Sequence, residues 1–233
     1  NPYVSHVPEK IEEHMAAAEK CADEAIVLLK NKNNILPLSK NDRVAVTGPM
    51  LYEKRALEGS WVVDGDVSVM HSIAECIKEK SENIIFPASP YLQDEVFYFV
   101  GLKEIDAVVL FLGESNLMTG EANSLSSIEL PKEQLELVKR AHAKGKPVIG
   151  VLCFGRPIAL EDAEIYFDAI VYAWHAGTRA AESIASVLYG DVNPSGKLPM
   201  TFPRRTGQVP IYYNCTRNES RGVNSYYGLR GES

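Results

Sequence analysis

The chain has 233 residues, of which 45% are hydrophobic and 24% charged, and its formal net charge is −7. This length suits one large domain, or one domain with an extra lobe, and the composition is that of a globular protein. The acidic balance argues against nucleic-acid binding, and no apolar run approaches the ~20 residues of a transmembrane helix. No basic region followed by an apolar one opens the chain, so no signal peptide is predicted.

The first half of the chain predicts helices and strands in alternation. Apolar residues at three- and four-residue spacings from Pro8 to about Lys32 indicate a long amphipathic helix, with acidic residues early and lysines late. Arg43 to Pro49 is typical of a first buried strand. Four segments follow: a loop (50–65), a helix (67–80), a strand (83–86) and a stretch that fits a helix or irregular structure, with a helix favoured (91–104).

The stretch from Asp106 to Pro131 carries the functional prediction. Its apolar run 107–112 predicts one fully buried strand, and polar residues begin directly after it, at Gly113-Glu114. A second carboxylate, Glu121, lies in the loop beyond. Because ligands of open α/β sheets bind at the loops that follow the carboxyl ends of strands, this loop is a candidate site.

The second half continues the alternation. Its predicted elements are a helix (131–144), a strand (147–154), a strand (169–174), a helix (178–189) and a tail of loops from residue 191 onward. Strands thus alternate with helices at least five times. This pattern predicts a three-layer α/β/α sandwich with a mostly parallel sheet of about six strands.

Five polar or aromatic residues are candidates for chemistry, binding or structure. Glu121 lies among Gly, Asn and Ser, so it is either a mobile acid that protonates a leaving group or, as composition alone favours, a solvated surface residue. Glu114 could bind a substrate hydroxyl or satisfy backbone amides of its own loop. Trp61 could stack on a sugar or lie in the core under its loop. Arg156 and His175, at other strand ends, are predicted to pair with buried carbonyls or carboxylates.

Patterns for metals and cofactors are missing from the sequence. The histidines show no HxxxH or HExxH pairing, Gly48-Pro49 opens no phosphate loop, and the serines near Glu121 have no GxSxG elbow. The sequence therefore predicts no metal, no cofactor and no serine nucleophile. Four cysteines without CxxC spacing are predicted to be buried free thiols: Cys21, Cys76, Cys153 and Cys215.

Several motifs fit together in a way that spacing alone does not show. They are AIVLLKN (25–31) with ILPL (35–38), GDVNPSGKLP (190–199) with TFP (201–203), QVPIYYN (208–214), and the strand ends GES, FGRP and AWHAG in that order. Together they resemble the C-terminal domain of glycoside hydrolase family 3, in the pattern of its bacterial β-glucosidases. The resemblance covers nearly the whole chain.

The resemblance implies a retaining β-glycosidase that hydrolyses β-D-glucosides with two carboxylates, a nucleophile and a general acid/base. The nucleophile would lie in an N-terminal (β/α)8 barrel that this chain is too short to hold, so the isolated chain is expected to be inactive. Residues 1–33 would be a linker and lead-in helix from that barrel, and residues 34–233 the α/β sandwich domain. Glu121 resembles the acid/base, with Glu114 as the fallback, and Trp61 the aromatic that stacks on the sugar beyond the cleaved bond. The implied partners are a small β-glucoside or oligosaccharide substrate and the barrel; a homodimer is compatible.

Departures from the family pattern keep alternatives open. Relatives carry an arginine and often an aspartate shortly after the acid/base, where this chain has Leu125 and Ser127, and Glu-Gly-Gly where it has Arg179-Ala180-Ala181. One alternative is a non-catalytic carbohydrate-binding or regulatory domain of the same fold. The other is a stand-alone doubly wound domain that binds a nucleotide or flavin, although a glycine-rich phosphate loop is missing.

Overall fold

A computed structural model describes residues 11–62, 64–89, 91, 96–97, 100, 104–118 and 120–212. Within these residues the strands are β1 Val27–Asn31, β2 Val44–Thr47, β3 Ile84–Ile85, β4 Ala107–Gly113, β5 Val148–Cys153 and β6 Ala169–Tyr172. The α-helices are α1 Ile11–Ala25, α2 Arg55–Glu58, α3 Ile73–Lys80, α4 Lys132–His142, α5 Glu161–Glu164 and α6 Ala180–Leu188. Among the described helices, none is long and apolar enough to cross a bilayer.

The strands form one six-stranded sheet in the order β1-β6-β5-β4-β2-β3. Strands β6, β5, β4, β2 and β3 are parallel, and β1 joins the edge antiparallel to β6. The mostly parallel sheet of about six strands is therefore confirmed. With the central strands parallel, their carboxyl ends meet at one edge of the sheet.

Strand β4 shows how the sequence produces three layers. Its side chains alternate between two apolar clusters: Ala107, Val109 and Phe111 pack in the cluster that contains α3 and α6. The intervening side chains pack in the cluster that contains α4 and α5: Val108, Leu110 and Leu112. Each fully buried side chain of this size contributes roughly 1.5–3 kcal/mol to folding. Apolar residues on both faces are thus the reason that helices cover both faces.

Helix α3 begins later than the predicted helix 67–80. The Ser72 side chain accepts a hydrogen bond from the Glu75 backbone N–H, and the Glu75 side chain accepts one from the Ser72 N–H, so the two residues form a capping box. These bonds, from the backbone and hydroxyl of Ser72, lower the pKa of Glu75 to about 2. Because the cap satisfies the first free N–H groups of the helix, it fixes where α3 starts. Residues 67–69 form a separate 3-10 turn.

The first helix is shorter than predicted. Helix α1 ends at Ala25, and the residues that the helical spacing assigned to its last turns form β1, with Val27 opposite Tyr172 and Asn31 opposite Ala169. The apolar run that starts at Ile26 fits both a helix and a strand. The free edge of β6 decides between them, because pairing satisfies the backbone groups of both strands. Residues before 11, and most of the segment 91–104, lie outside the described residues.

The prediction of buried free thiols is confirmed at two positions. Cys76 and Cys153 are buried and free, whereas Cys21 is free but exposed, contrary to the prediction. Cys21 lies on the exposed side of α1. The neighbouring residue, Ala22, is the residue of this helix that is buried. Cys215 lies outside the described residues.

Candidate functional site

A cavity of about 400 Å³ opens at the carboxyl edge of the sheet. Its walls come from the segments that follow β2, β4, β5 and β6: Glu58, Gly59, Ser60, Trp61, Gly120, Gly155, Arg156, Trp174 and His175. This is the edge at which ligands of parallel α/β sheets bind. The volume lies within the range of small-molecule sites.

The end of β4 is held by one side chain. The Gln134 amide bridges Gly113: its Nε2 donates to the Gly113 carbonyl at 2.7 Å, and its Oε1 accepts from the Gly113 N–H at 3.0 Å. A Cβ at Gly113 would lie 2.5 Å from the Cys153 carbonyl oxygen, so only glycine allows β4 and β5 to end this close together. The residues after Gly113 therefore leave the sheet from a fixed point.

Glu114, the first residue after β4, is buried behind the cavity. It is 1% exposed, and its Oε1 accepts a hydrogen bond from Nη2 of Arg156, which lines the cavity. Burial raises the pKa of Glu114, and the Arg156 guanidinium acts in the opposite direction. Among the described residues, Glu114 Oε2 and Arg156 Nη1 have no hydrogen-bond partner. The predicted pairing of Arg156 with a buried carboxylate is confirmed.

His175 is enclosed by glycine backbone. A Cβ at Gly59 or at Gly155 would lie 2.9 Å from His175 Nδ1. Only glycine therefore allows these two backbone segments to lie so close to the imidazole. Burial lowers the pKa of His175, while a hydrogen bond with the backbone of Cys153 raises it. The imidazole is therefore neutral at pH 7. It forms an uncharged wall of the cavity, and its hydrogen bond with the Cys153 backbone agrees with the predicted structural role.

Trp174 has an unusual backbone conformation. Its φ is 59°, in the left-handed region, which costs a bulky residue of the order of 1–3 kcal/mol. Its indole Nε1 donates to the Ala25 carbonyl at 3.1 Å, and its ring lies 4.7 Å from that of Tyr172. These contacts offset the strain and hold the indole ring against the cavity.

The loop that carries Glu121 lies against the loop of Trp61. Gly120 has φ 104° and Ala122 has φ 62°, so positive φ angles flank Glu121 on both sides. A Cβ at Gly120 would lie 2.8 Å from the Ser60 Cβ, which shows how closely the two loops approach. Glu121 is exposed, and its carboxylate makes no hydrogen bond or ion pair to any described residue. The loop thus presents an exposed carboxylate beside the cavity.

The structure brings some of the predicted residues together and separates others. Trp61 is 73% exposed and lines the cavity, so it is not a core residue. Glu121 adjoins the cavity through Gly120, whereas Glu114 reaches it only through Arg156. Glu58, which also lines the cavity and pairs with Arg55 at 3.5 Å, was not predicted. The sequence signal for Glu58 as a cavity residue is its position directly before the Gly59-Ser60-Trp61 loop.

Comparison with known proteins identifies the family. Residues 26–229 match the model of the glycosyl hydrolase family 3 C-terminal domain. The chain belongs to this family. The match starts one residue before β1, so the family 3 domain includes the strand that the helical spacing concealed.

Relatives of the family 3 domain are glycosidases of greater length. A periplasmic β-glucosidase of Salmonella typhimurium is 38% identical over 231 residues, which cover 86% of this chain and 30% of that protein. A β-xylosidase of Formosa agariphila is 37% identical over 216 residues, covering 87% and 30%. The crystal structure of a β-glucosidase from Listeria innocua in complex with isofagomine is similar with a TM-score of 0.82 and 38% identity, covering 88% of this chain and 29% of that one. This chain therefore spans about 30% of the length of these relatives.

Proposed function

We propose that this family 3 domain supplies the general acid/base and part of the substrate site of a retaining β-glycosidase of the β-glucosidase type. The observation that carries the proposal is the exposed carboxylate of Glu121, which has no partner among the described residues, on a loop that lies against the Trp61 loop at the cavity. An acid of this kind can reach a substrate that a second domain presents. The β-glucosidase and β-xylosidase relatives support the reaction type.

Glu121 acts twice in the proposed reaction. In the first step its carboxyl group donates a proton to the glycosidic oxygen as the C–O bond to the leaving group breaks, while a carboxylate nucleophile bonds to the anomeric carbon. In the second step the Glu121 carboxylate takes a proton from water as the water oxygen attacks the anomeric carbon and releases the nucleophile. Proton and charge are restored at the end of the cycle.

Trp61 and the cavity walls bind the leaving-group sugar in this proposal. An exposed indole ring offers a flat apolar surface for the C–H face of a sugar, and its N–H can bind a hydroxyl. Glu58 and Arg156 add polar groups to the same cavity. Few well-placed polar groups on a largely apolar wall are typical of small-molecule sites.

Glu114 is the poorer candidate for the acid/base. Its carboxylate is buried and bound to Arg156, so proton transfer to a substrate would require that ion pair to break. Glu121 needs no such step. We therefore assign the acid/base to Glu121 and a structural role to Glu114.

A second domain completes the proposed active site. Relatives about three times as long as this chain support an N-terminal barrel that supplies the nucleophile and is the domain's partner in the same protein. Residues 1–33 lead in from that barrel and supply β1 to the edge of the sheet, and residues 34–233 form the rest of the sandwich domain. The substrate is a small β-glucoside or oligosaccharide, and a homodimer is compatible with this arrangement.

The test is Glu121→Gln in the intact enzyme, with aryl β-glucosides of good and poor leaving groups. We expect the rate for the poor leaving group to fall by about 10²–10⁴-fold, because general acid catalysis is lost. The good leaving group needs less proton donation, so its cleavage should fall less. Glu133→Gln, an exposed glutamate on α4, is the matched control and should leave both rates unchanged. An unchanged rate for the poor leaving group contradicts the proposal.

One observation favours a second candidate, a non-catalytic carbohydrate-binding or regulatory domain. Leu125 and Ser127 stand where the family pattern has charged side chains, and the Ser127 hydroxyl is bound to Glu129 at 3.2 Å. If this candidate is right, the cavity binds sugar, and Glu121→Gln leaves the rate of aryl β-glucoside hydrolysis by the intact enzyme unchanged. Calorimetric titration of the intact protein with glucose and cellobiose, beside the rate measurement, separates the two candidates. The family match leaves the nucleotide-binding alternative without support.

A further inference from the structure

A second group of chemically active side chains lies outside the cavity, where α3 packs against α6. His71 precedes the cap of α3, Cys76 lies within α3, and Glu182 lies in the first turn of α6. One nitrogen, one sulfur and one carboxylate oxygen from these residues all lie within 4.8 Å of one another. His71 Nδ1 lies 2.8 Å from Glu182 Oε1.

The three side chains differ in depth in a way that suits an ion. Cys76 is 4% exposed, so its sulfur forms the floor of the group. The side chains of His71 and Glu182 are 53% and 15% exposed. An ion could therefore enter from the solvent side past His71 and keep a water molecule there, as open zinc sites do.

An independent observation points to a missing partner. Glu182 Oε1 contacts His71 and Arg179, but Glu182 Oε2 is buried and has no hydrogen-bond partner among the described residues. Leaving a buried acceptor unsatisfied costs about 1–3 kcal/mol, and more when it is charged. The ion pair of Arg179 with Glu19 braces α1 to α6, yet it uses neither Oε2 of Glu182 nor the Cys76 sulfur. A structural network alone therefore does not account for these two atoms.

The electrostatic surroundings of the thiol favour a cation. Burial, with smaller contributions from the carboxylates of Glu182, Glu79 and Glu75, raises the pKa of Cys76 to about 12, and Arg179 acts in the opposite direction. A divalent ion at this position would reverse that balance, because a metal-bound thiol loses its proton. Binding would release the thiol proton to solvent and would become tighter as pH rises.

We propose that His71, Cys76 and Glu182 form a binding site for a divalent transition metal, with zinc as the ion of best fit. A thiolate, an imidazole and a carboxylate are the three ligand types that zinc accepts, whereas calcium and magnesium require oxygen ligands. Metal–ligand bonds of about 2.0–2.3 Å give tetrahedral edges of about 3.3–3.8 Å, so separations that now lie within 4.8 Å have to adjust by no more than about 1 Å. The exposed imidazole can make that adjustment. The bound ion would tie the start of α3 to α6.

The experiment is a titration of the intact protein with Co²⁺, followed by displacement with Zn²⁺. It uses a background in which Cys21 and Cys215 are serine, so that the thiols of Cys76 and Cys153 remain. We expect one equivalent of Co²⁺ to produce the near-ultraviolet thiolate-to-cobalt band, one equivalent of Zn²⁺ to remove it, and Zn²⁺ to raise Tm. Cys76→Ser should abolish the band, and Cys153→Ser, which changes an equally buried thiol, should retain it.

A second variant keeps the test decisive if Cys76→Ser fails to fold. His71→Ala changes a side chain that is half exposed, so the fold should persist, and it should weaken Co²⁺ binding by at least about 10-fold. The proposal is overturned if no stoichiometric band appears, if the band survives Cys76→Ser, or if His71→Ala binds Co²⁺ as the background protein does.

Discussion

Two glutamates seven residues apart, Glu114 and Glu121, follow the same strand and meet opposite environments. Glu114 is buried at the end of β4 and bound to Arg156. Glu121 is exposed, at the tip of a loop whose flanking residues have positive φ angles. The strand end is fixed by Gln134, whereas the loop is positioned by its contact with Ser60.

The difference shows how one short stretch can carry two roles. A carboxylate that is paired and desolvated is held in place and serves the architecture of the sheet edge. A carboxylate that is unpaired and solvated is free to exchange protons with water and with a substrate. Environment, not residue type, therefore distinguishes these two carboxylates. The predictions below test this contrast, beginning with the largest expected effect.

Removal of Arg156 should be the most disruptive change. In Arg156→Met the Glu114 carboxylate loses its countercharge, and the free energy of unfolding at pH 7 should fall by about 3–5 kcal/mol. Urea denaturation measures this loss. The double variant Glu114→Gln/Arg156→Met should recover part of it, because no buried charge remains. A single variant as stable as the unchanged protein would show that the pair is not needed.

The same variant should show a distinctive pH dependence. Burial already raises the pKa of Glu114 above its ordinary value of 4.5, and removing the guanidinium raises it further. The folded state then binds the proton more tightly than the unfolded state, so stability falls as pH rises from about 4.5 through the raised pKa. Arg156→Met should therefore be less destabilised at pH 5 than at pH 7. If Arg156→Met loses the same free energy of unfolding at pH 5 and at pH 7, Glu114 is not a buried, ionised carboxylate in this variant.

Gly120→Ala should have a smaller effect, through the backbone. The φ of 104° is unfavourable for alanine, and the new Cβ would approach Ser60. Gly145→Ala is the matched control, because Gly145 also has a positive φ but nothing lies within 4 Å of its Cβ position. We expect about 1–2 kcal/mol of lost stability for the control and more for Gly120→Ala, measured by urea denaturation.

The Ser60 contact can be isolated from the backbone strain. Adding Ser60→Gly to Gly120→Ala should bring its stability loss close to that of Gly145→Ala, because the second substitution removes the side chain that the new methyl group meets. If Gly120→Ala costs no more than Gly145→Ala, the two loops do not constrain each other.

Trp61→Ala tests the exposed indole and depends on the proposed function. In the intact enzyme we expect KM for an aryl β-glucoside to rise about 10-fold, which corresponds to about 1.4 kcal/mol of lost binding. Stability should change by less than about 0.5 kcal/mol, because the side chain is exposed. Trp61→Phe retains an aromatic face and should recover most of the affinity. An unchanged KM in Trp61→Ala, or a large loss of stability, would remove Trp61 from the substrate site.

Glu121→Gln should have the smallest effect on stability. Its carboxylate has no partner among the described residues, so the free energy of unfolding should change by less than about 0.5 kcal/mol. Thermal denaturation beside Glu133→Gln checks this. A decrease of several degrees in Tm for Glu121→Gln alone would mean that the carboxylate supports the fold, and the contrast with Glu114 would weaken.

The sequence predicts the parts of the fold that rest on local pattern. The unbroken apolar run of β4 predicts a strand buried on both faces, and the strand ends after β4, β5 and β6 are visible as abrupt changes to polar residues. Strand β1 was missed because its apolar run fits both periods, and the choice depends on a distant edge, that of β6. Pairing between residues about 140 positions apart leaves no local signal.

The candidate site shows the same limit. The Glu114–Arg156 pair follows from strand ends that a parallel sheet brings together, so a structural role for Arg156 could be predicted. Glu58 enters the cavity through a single turn of helix that has no periodic pattern. The group of His71, Cys76 and Glu182 joins residues more than 100 positions apart, so no ligand spacing reveals it. Chemistry that depends on tertiary contacts is visible only after folding.

Trp174 links two parts of the molecule that are otherwise described separately. Its indole N–H binds the carbonyl at the end of α1, and the same ring forms a wall of the cavity. A rotation of α1 relative to the sheet would therefore be transmitted directly to the space beside Glu58 and His175. The indole therefore couples the end of α1, the helix that precedes the sheet, to the wall of the cavity.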